Sequence, residues 1–121
     1  MSRIALLFQA SCLVILLSGF TLQNEQLLST SLRVTVLNEL GNIVPGATVT
    51  VYANEEDYRN STNPVQPAQE TNAKGRVSFK KLDPTVYFLD VQMGDLNNIG
   101  LAVQTDTLKP NLINKVNIII E

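Results

Sequence analysis

The stretch LRVTVLNELGNIVPGATVTVY, residues 32–52, joins two runs in which apolar and polar side chains alternate. This period of two is typical of strands that bury one face. Between the runs lies the step Pro45-Gly46. Proline presets φ at the first central position of a turn, and glycine accepts the positive φ that a type II turn needs at the second. The stretch therefore predicts two strands joined by a corner.

The same alternation recurs further along the chain, with turn-forming residues between the runs, and no helical period of 3.6 follows the first 22 residues. Short strands separated by frequent turns favour an all-β sandwich or barrel. Further turns are predicted around Gly41 and from Asn72 to Gly75. The pattern predicts about seven strands, near residues 32–38, 47–53, 66–71, 76–81, 86–92, 101–105 and 114–120.

The amino-terminal residues form an apolar leader. Arg3 precedes a stretch without charged side chains, from Ile4 to Leu22. Its length lies between the 7–15 residues of a signal-peptide core and the roughly 20 of a membrane span. We expect residues 1–22 to be a cleaved signal peptide, with an uncleaved membrane anchor as the alternative and residues 23–31 as a linker. Residues 4–22 would then be the route to any membrane association.

Cys12 is the only cysteine in the chain. Its small neighbours suggest the acylated cysteine of a lipoprotein, but apolar residues continue after it, whereas a lipid-modified cysteine closes the apolar stretch. Lipidation at Cys12 is therefore the lesser interpretation. Without the leader the chain has no thiol to form a disulfide, so its stability must come from packing.

The charge balance is mildly acidic. Removal of Arg3 with the leader leaves eight basic and eleven acidic side chains, a net charge of −3, without long runs of one sign. Such a balance does not favour binding to nucleic acid. The connection at residues 54–69 is polar and holds three consecutive acids. Its ligand spacing is unlike that of a calcium loop, so it predicts a solvated loop.

Four segments together resemble the carboxypeptidase regulatory-like domains: LRVTVLNELGNIVPGATVTVY, TNAKGRVSFKKL, VYFLDV and NKVNIIIE. The resemblance covers residues 32–121. It implies a seven-stranded antiparallel Greek-key sandwich of the transthyretin or prealbumin type, as in small exported proteins of Bacteroidota-type bacteria. Asn72 stands where the family usually has aspartate, and either residue can cap a turn.

Catalytic chemistry finds little support in the composition. The chain has no histidine, and residues 13–121 have no cysteine, which removes the usual zinc ligands, the commonest general base and the thiolate nucleophile. The resemblance extends to transthyretin-like hydrolases, which rely on histidines that are absent here. Four acids in the second half could serve a glycosidase, but their spacing gives no reason to place two in one cleft: Asp83, Asp90, Asp95 and Asp106. We therefore expect no enzyme activity, no cofactor and no metal.

Two functions remain. The first is a non-catalytic, exported scaffold of the cell envelope that binds another protein, at the periplasm, outer membrane or cell surface; its outward apolar residues, Leu37, Phe88 and Ile119, would form a face that a partner or a neighbouring loop covers. The alternative is a carbohydrate-binding module. The chain has no tryptophan, so Tyr58 and Phe88 are the candidate exposed rings for contact with a glycan or a partner.

Overall fold

The structure is a computed structural model that describes residues 29–121. The predicted leader at residues 1–22, with Cys12, lies outside the described residues, as does most of the predicted linker at 23–31. Within the described part, no helix has the length and apolar content that crossing a bilayer requires.

Seven strands and one short helix make up the described chain. In chain order the elements are β1 Ser31–Leu37, β2 Thr48–Tyr52, α1 Glu55–Asn60, β3 Gln69–Glu70, β4 Arg76–Phe79, β5 Phe88–Met93, β6 Leu96–Asn97 and β7 Ile113–Ile119. Two of the strands, β3 and β6, have only two residues each.

The strands form two sheets that face each other. One sheet has three strands in the order β4-β1-β7, and the other has four in the order β3-β2-β5-β6. Every second side chain of the central strands β1, β2 and β5 points between the sheets, as the period of two predicts. An all-β sandwich is therefore confirmed. The core is built mainly from aliphatic side chains, with Phe79 and Tyr87 among them. Its largest fully buried apolar members are Phe79, Leu32, Leu89, Ile120, Val34, Val36, Val49, Val51 and Val91.

The first and last strands pair in parallel. β1 lies beside β7 in a continuous register from Ser31 opposite Ile113 to Leu37 opposite Ile119. The prediction of a wholly antiparallel sandwich is wrong at this pair, while the other strand pairs are antiparallel. The reason is the connection at residues 98–112, which follows β6 and returns the chain to the other end of the sandwich before β7 starts.

The predicted sixth strand, residues 101–105, does not form. Gln104 makes only an isolated bridge to Phe88, and the two-residue strand β6 pairs with β5 instead. Between these contacts the buried side chain of Asn98 occupies the place of a strand. Its Nδ2 donates to the carbonyl oxygen of Leu89 at 2.9 Å, and its Oδ1 accepts from the backbone nitrogen of Val91 at 3.0 Å. A side-chain amide thus satisfies backbone groups that a sixth strand would have paired.

The predicted third strand and the predicted loop before it also differ from the structure. The strand shrinks from residues 66–71 to Gln69–Glu70, since Pro67 has no backbone N–H to donate to a ladder. The connection at 54–69 contains α1, which sequence analysis missed because six residues are too few to show a helical period.

The Pro45-Gly46 step turns the corner into β2, and Thr71 holds it in place. Gly46 has φ of 78°, in the left-handed region that glycine tolerates. Its backbone nitrogen donates to the carbonyl oxygen of Thr71 at 2.9 Å. The Thr71 hydroxyl donates to the carbonyl oxygen of Val44 at 2.6 Å and accepts from the nitrogen of Ala47 at 2.8 Å. A buried threonine thus satisfies the polar groups of the turn.

Two further turns are organised by asparagine side chains. Asn38 Oδ1 accepts from the backbone nitrogens of Leu40 and Asn42, both at 3.0 Å, in the turn that contains Gly41. Asn72 Oδ1 accepts from the nitrogens of Lys74 and Arg76 in the turn that leads into β4. Asparagine stabilises such turns by binding its own backbone a few residues on.

Candidate functional site

The rings of Tyr58 and Phe88 lie together on the outer face of the four-stranded sheet. Their centroids are 6.2 Å apart with an interplanar angle of 33°. Tyr52, which is paired with Phe88 across β2 and β5, meets Tyr58 edge-on at 6.1 Å and 74°. We call these three residues the aromatic cluster. Both Tyr58 and Phe88 are half-buried, so neither ring lies open on the surface.

Helix α1 positions Tyr58 over the sheet, and the sequence just before it explains why a helix forms there. Asn54 caps the helix by accepting from the backbone nitrogen of Asp57 at 2.8 Å. The three acids of the first turn lie at the positive end of the helix dipole, and Arg59 lies in the last turn. The acidic run that raised the question of a cation site thus serves the start of a helix.

The environment of Tyr58 keeps its hydroxyl protonated. Burial against the sheet raises the pKa of Tyr58 above its usual value of 10.0, and the nearby carboxylate of Asp90 raises it further. Asp90 points outward from β5 opposite Thr50. At neutral pH Tyr58 therefore presents a neutral phenol beside Asp90.

The four acids considered for glycosidase chemistry lie in different elements and connections of the fold. Asp83 lies between β4 and β5, Asp95 lies at the tip of the β5–β6 hairpin, and Asp106 lies in the connection to β7. Asp90 alone lies within a strand. Across residues 29–121, no group of three or more Asp, Glu, His or Cys side chains is placed to hold a metal ion.

One end of the sandwich exposes several apolar side chains, which we call the apolar end: Leu40, Ile43, Met93 and Leu96. The strand register places them together. Leu40 and Ile43 lie in the loop between β1 and β2, and β2 begins opposite the end of β5, where Met93 lies. Leu40 and Leu96 line the same surface groove. Leu40 is the most open of them, with 84% of its surface exposed.

The predicted apolar face of Leu37, Phe88 and Ile119 is divided by the fold. Leu37 and Ile119 are paired on the outer side of the three-stranded sheet, whereas Phe88 lies on the opposite outer side beneath α1. The residues of the apolar end were missed because they lie in a loop or at the ends of strands, where an alternating pattern is short or absent. The available signal was the presence of the apolar Leu40 and Ile43 on either side of Gly41-Asn42.

No protein-family model matches the chain, and no curated protein sequence matches it. Among solved structures, the chain is similar to the Bacillus anthracis TIE protein, at 14% identity and a TM-score of 0.47, over 76% of this chain and 16% of that one. It is also similar to chlorocatechol 1,2-dioxygenase from Pseudomonas putida, at 16% identity and a TM-score of 0.45, over 77% of this chain and 61% of that one. The chain spans less than two thirds of either protein.

Proposed function

We propose that the chain is a non-catalytic, exported β-sandwich module that binds a partner protein of the cell envelope through its apolar end. The observation that carries the proposal is the exposure of Leu40, Ile43, Met93 and Leu96 around one end of a tightly packed sandwich. Apolar side chains grouped on an otherwise polar surface mark sites of protein contact more often than isolated ones do.

The framework around the apolar end supports a binding role. The β1–β2 loop is fixed by the Asn38 side chain and by Thr71, and the β5–β6 hairpin is fixed by a pair of backbone hydrogen bonds between Asn97 and Glu121, at 3.0 and 3.3 Å. Loops that are held in place lose little conformational freedom on binding, so less of the binding free energy is offset. The apolar end therefore suits a preformed contact surface.

The absence of catalysis is part of the proposal. It is supported by the lack of histidine in the chain and of cysteine after residue 12. It is also supported by the separation of Asp83, Asp95 and Asp106 along the fold and by the raised pKa of Tyr58, which is the wrong direction for a general base at neutral pH. A dioxygenase appears among the similar structures, but that likeness gives no basis for transferring an activity.

We also propose that the chain belongs to the carboxypeptidase regulatory-like domains, with the prealbumin-type connection of strands. The four resembling segments, which follow one another in the family's order between Leu32 and Glu121, support this membership. The apolar residues 4–22 support export across a membrane, followed by cleavage, or retention as an anchor.

The alternative, glycan binding through Tyr58 and Phe88, is less well supported. A sugar ring stacks on an open aromatic face, but in the aromatic cluster the edge or face of each ring is turned toward another ring. Tyr58 and Phe88 are better explained as the contact that fastens α1 to the sheet.

Site-specific photo-crosslinking tests the proposal. A photoreactive amino acid is placed at residue 40, 96 or 112 of the tagged chain, in the cells that naturally produce it. Leu112 is a matched control because it is 53% exposed and precedes β7, at the end of the sandwich opposite the apolar end. We expect one discrete protein adduct from positions 40 and 96 and none from position 112.

The corresponding variants separate binding from folding. Leu40→Asp should abolish the adduct formed at position 96, while Leu112→Asp should leave it unchanged, and both variants should melt like the parent because the two leucines are exposed. Equal adducts from all three positions, or none from any, would count against the proposal. Retention of the parent on polysaccharide gels, lost in Tyr58→Ala, would favour the glycan alternative.

A further inference from the structure

The outer face of the three-stranded sheet carries three cations, with the apolar Leu37 and Ile119 near one of its ends. Its outward positions carry Arg76 on β4, Arg33 on β1 and Lys115 on β7, so each of the three strands contributes one cation. We call this surface the basic face. Neither aspartate nor glutamate occurs in these three strands. Arg76 and Lys115 are exposed and Arg33 is half-buried, so their charged groups lie at the surface.

Two of these cations lie directly opposite each other. Arg33 is paired with Lys115 across the parallel β1–β7 register. Like charges in directly opposed positions destabilise a sheet. Among the described residues, the one ion pair joins Arg59 and Glu55 on α1, so neither member of the opposed pair is neutralised by a carboxylate of the described chain. The arrangement leaves positive charge available to an anion from outside.

A shallow groove continues the basic face toward the edge where β4 meets β3. Arg33, Lys74 and Arg76 line it, and Glu70 is the single acid in it. The remaining lining is mostly neutral and polar, with the amide of Asn72 among its hydrogen-bonding groups. The groove therefore offers three cations beside groups that can bind hydroxyls.

Acidic residues gather on the opposite side of the molecule. Glu55, Glu56 and Asp57 form the first turn of α1, which packs over the four-stranded sheet, and Asp90 points outward from that sheet. The chain therefore has a net negative charge but carries a positively charged face. A net charge describes the whole molecule, whereas an approaching polyanion responds to the local field of one face.

We propose that the basic face and its groove bind an acidic polysaccharide, a polymer of uronic acid residues. Arginine binds carboxylates in a two-pronged geometry, and the neutral amides and hydroxyls can pair with sugar hydroxyls. Protein interfaces are rich in aromatic residues, and no aromatic side chain lines this groove. Single-stranded nucleic acid needs rings on which bases stack, and the strands of the basic face carry no aromatic side chain pointing outward.

Titration of the purified protein with polygalacturonate tests this proposal. We expect binding in low salt that weakens as ionic strength rises, and none to neutral dextran of the same size. Arg33→Gln and Lys115→Gln should each weaken binding about two- to fivefold, the effect of one exposed ion pair, and the double variant should weaken it about tenfold. Arg59→Gln removes the same charge from α1 and is the matched control, which should bind like the parent.

Three results would overturn the proposal. Equal loss in Arg59→Gln would show that only net charge matters. Equally tight binding of single-stranded DNA or of a polyglutamate peptide would show that the face does not recognise sugar. Self-association of the parent in sedimentation experiments at low salt, lost in Lys115→Gln, would assign the basic face to the acidic side of a second copy. Leu40→Asp should not change polysaccharide binding, so this proposal and the proposed protein partner can fail separately.

Discussion

The side chain of Asn98 completes the hydrogen bonding of β5 by donating from Nδ2 to the carbonyl oxygen of Leu89 at 2.9 Å. The same nitrogen lies 3.2 Å from the carbonyl oxygen of Ala102, to which it also donates, and Oδ1 accepts from the nitrogen of Val91. Asn98 is fully buried, so water cannot replace these bonds. The amide of Asn98 therefore joins β5, which precedes it in the chain, to Ala102 in the connection that follows it.

Replacing Asn98 by leucine keeps the volume but leaves buried backbone groups of β5 without partners. We expect Asn98→Leu to lower the free energy of unfolding by about 2 to 4 kcal/mol. Urea denaturation followed by circular dichroism measures the loss. Asn117→Leu is the control, because Asn117 points outward from β7 and is exposed, and it should change stability by less than about 0.5 kcal/mol. Equal stability of the two variants would contradict the role of Asn98.

Alanine substitutions at Gly75 and Gly94 distinguish two contributions to the loss of stability: a strained backbone conformation and a close contact of the added Cβ. Both have positive φ, 72° and 60°. A Cβ on Gly75 would lie 3.0 Å from the Cβ of Ile43 and 3.2 Å from the carbonyl oxygen of Val36, whereas a Cβ on Gly94 would meet nothing within 4 Å. We expect Gly94→Ala to cost about 1 kcal/mol and Gly75→Ala about 3 kcal/mol, measured by thermal melting. Similar losses would mean that the Gly75 turn yields easily.

Stability should fall at alkaline pH through Tyr58. Its pKa is raised in the folded chain by burial and by Asp90, so the folded state holds its proton more tightly than the unfolded state. Stability is therefore fully present below pH 10 and is lost as the pH rises from 10 through the folded pKa. Tyr58→Phe should reduce this loss, but not abolish it, because burial also raises the pKa of Tyr87. Melting temperatures between pH 8 and pH 12 test this, and an unchanged alkaline loss in Tyr58→Phe would refute it.

Charge reversal on the basic face should stabilise the fold while weakening the binding of its proposed ligand. Lys115→Glu places a carboxylate directly opposite Arg33, so we expect the free energy of unfolding to rise by about 0.2 to 1 kcal/mol. The same variant should bind polygalacturonate about tenfold more weakly, because it changes the charge of the face by two. Urea denaturation in low and high salt measures the gain, which should shrink in high salt. A loss of stability in Lys115→Glu would show that the two side chains do not interact as their register implies.

The central strands could be predicted from the sequence because burial on one face imposes the period of two. The predicted ranges 32–38, 47–53 and 86–92 lie close to β1, β2 and β5. The segment at 101–105 pairs with the chain at β5 only around Gln104, through bonds from the nitrogen of Leu89 to the carbonyl oxygen of Val103 and from the nitrogen of Thr105 to the carbonyl oxygen of Tyr87. The next backbone groups of β5 are taken by the side chain of Asn98. A side chain that substitutes for a strand leaves no periodic signal.

The candidate sites were less accessible to prediction. Tyr58 and Phe88 could be singled out as rings, but their mutual contact depends on α1, whose signal is only the Asn54 cap three residues before Asp57. Arg33 and Lys115 are neighbours only because the first and last strands pair in parallel. Contacts between residues this far apart in the chain follow from topology, which no local pattern contains.

The parallel pairing of β1 with β7 also sets the order in which the domain can be made. A growing polypeptide releases β1 early, but the second neighbour of this strand, β7, is the last of the described strands to be synthesised. Until then the apolar side chains of Leu32, Val34 and Val36 have only part of their covering, so the native sandwich does not form before β7 has been made. A ribosome-bound chain that stops short of residue 113 would consequently be a substrate for chaperones and proteases.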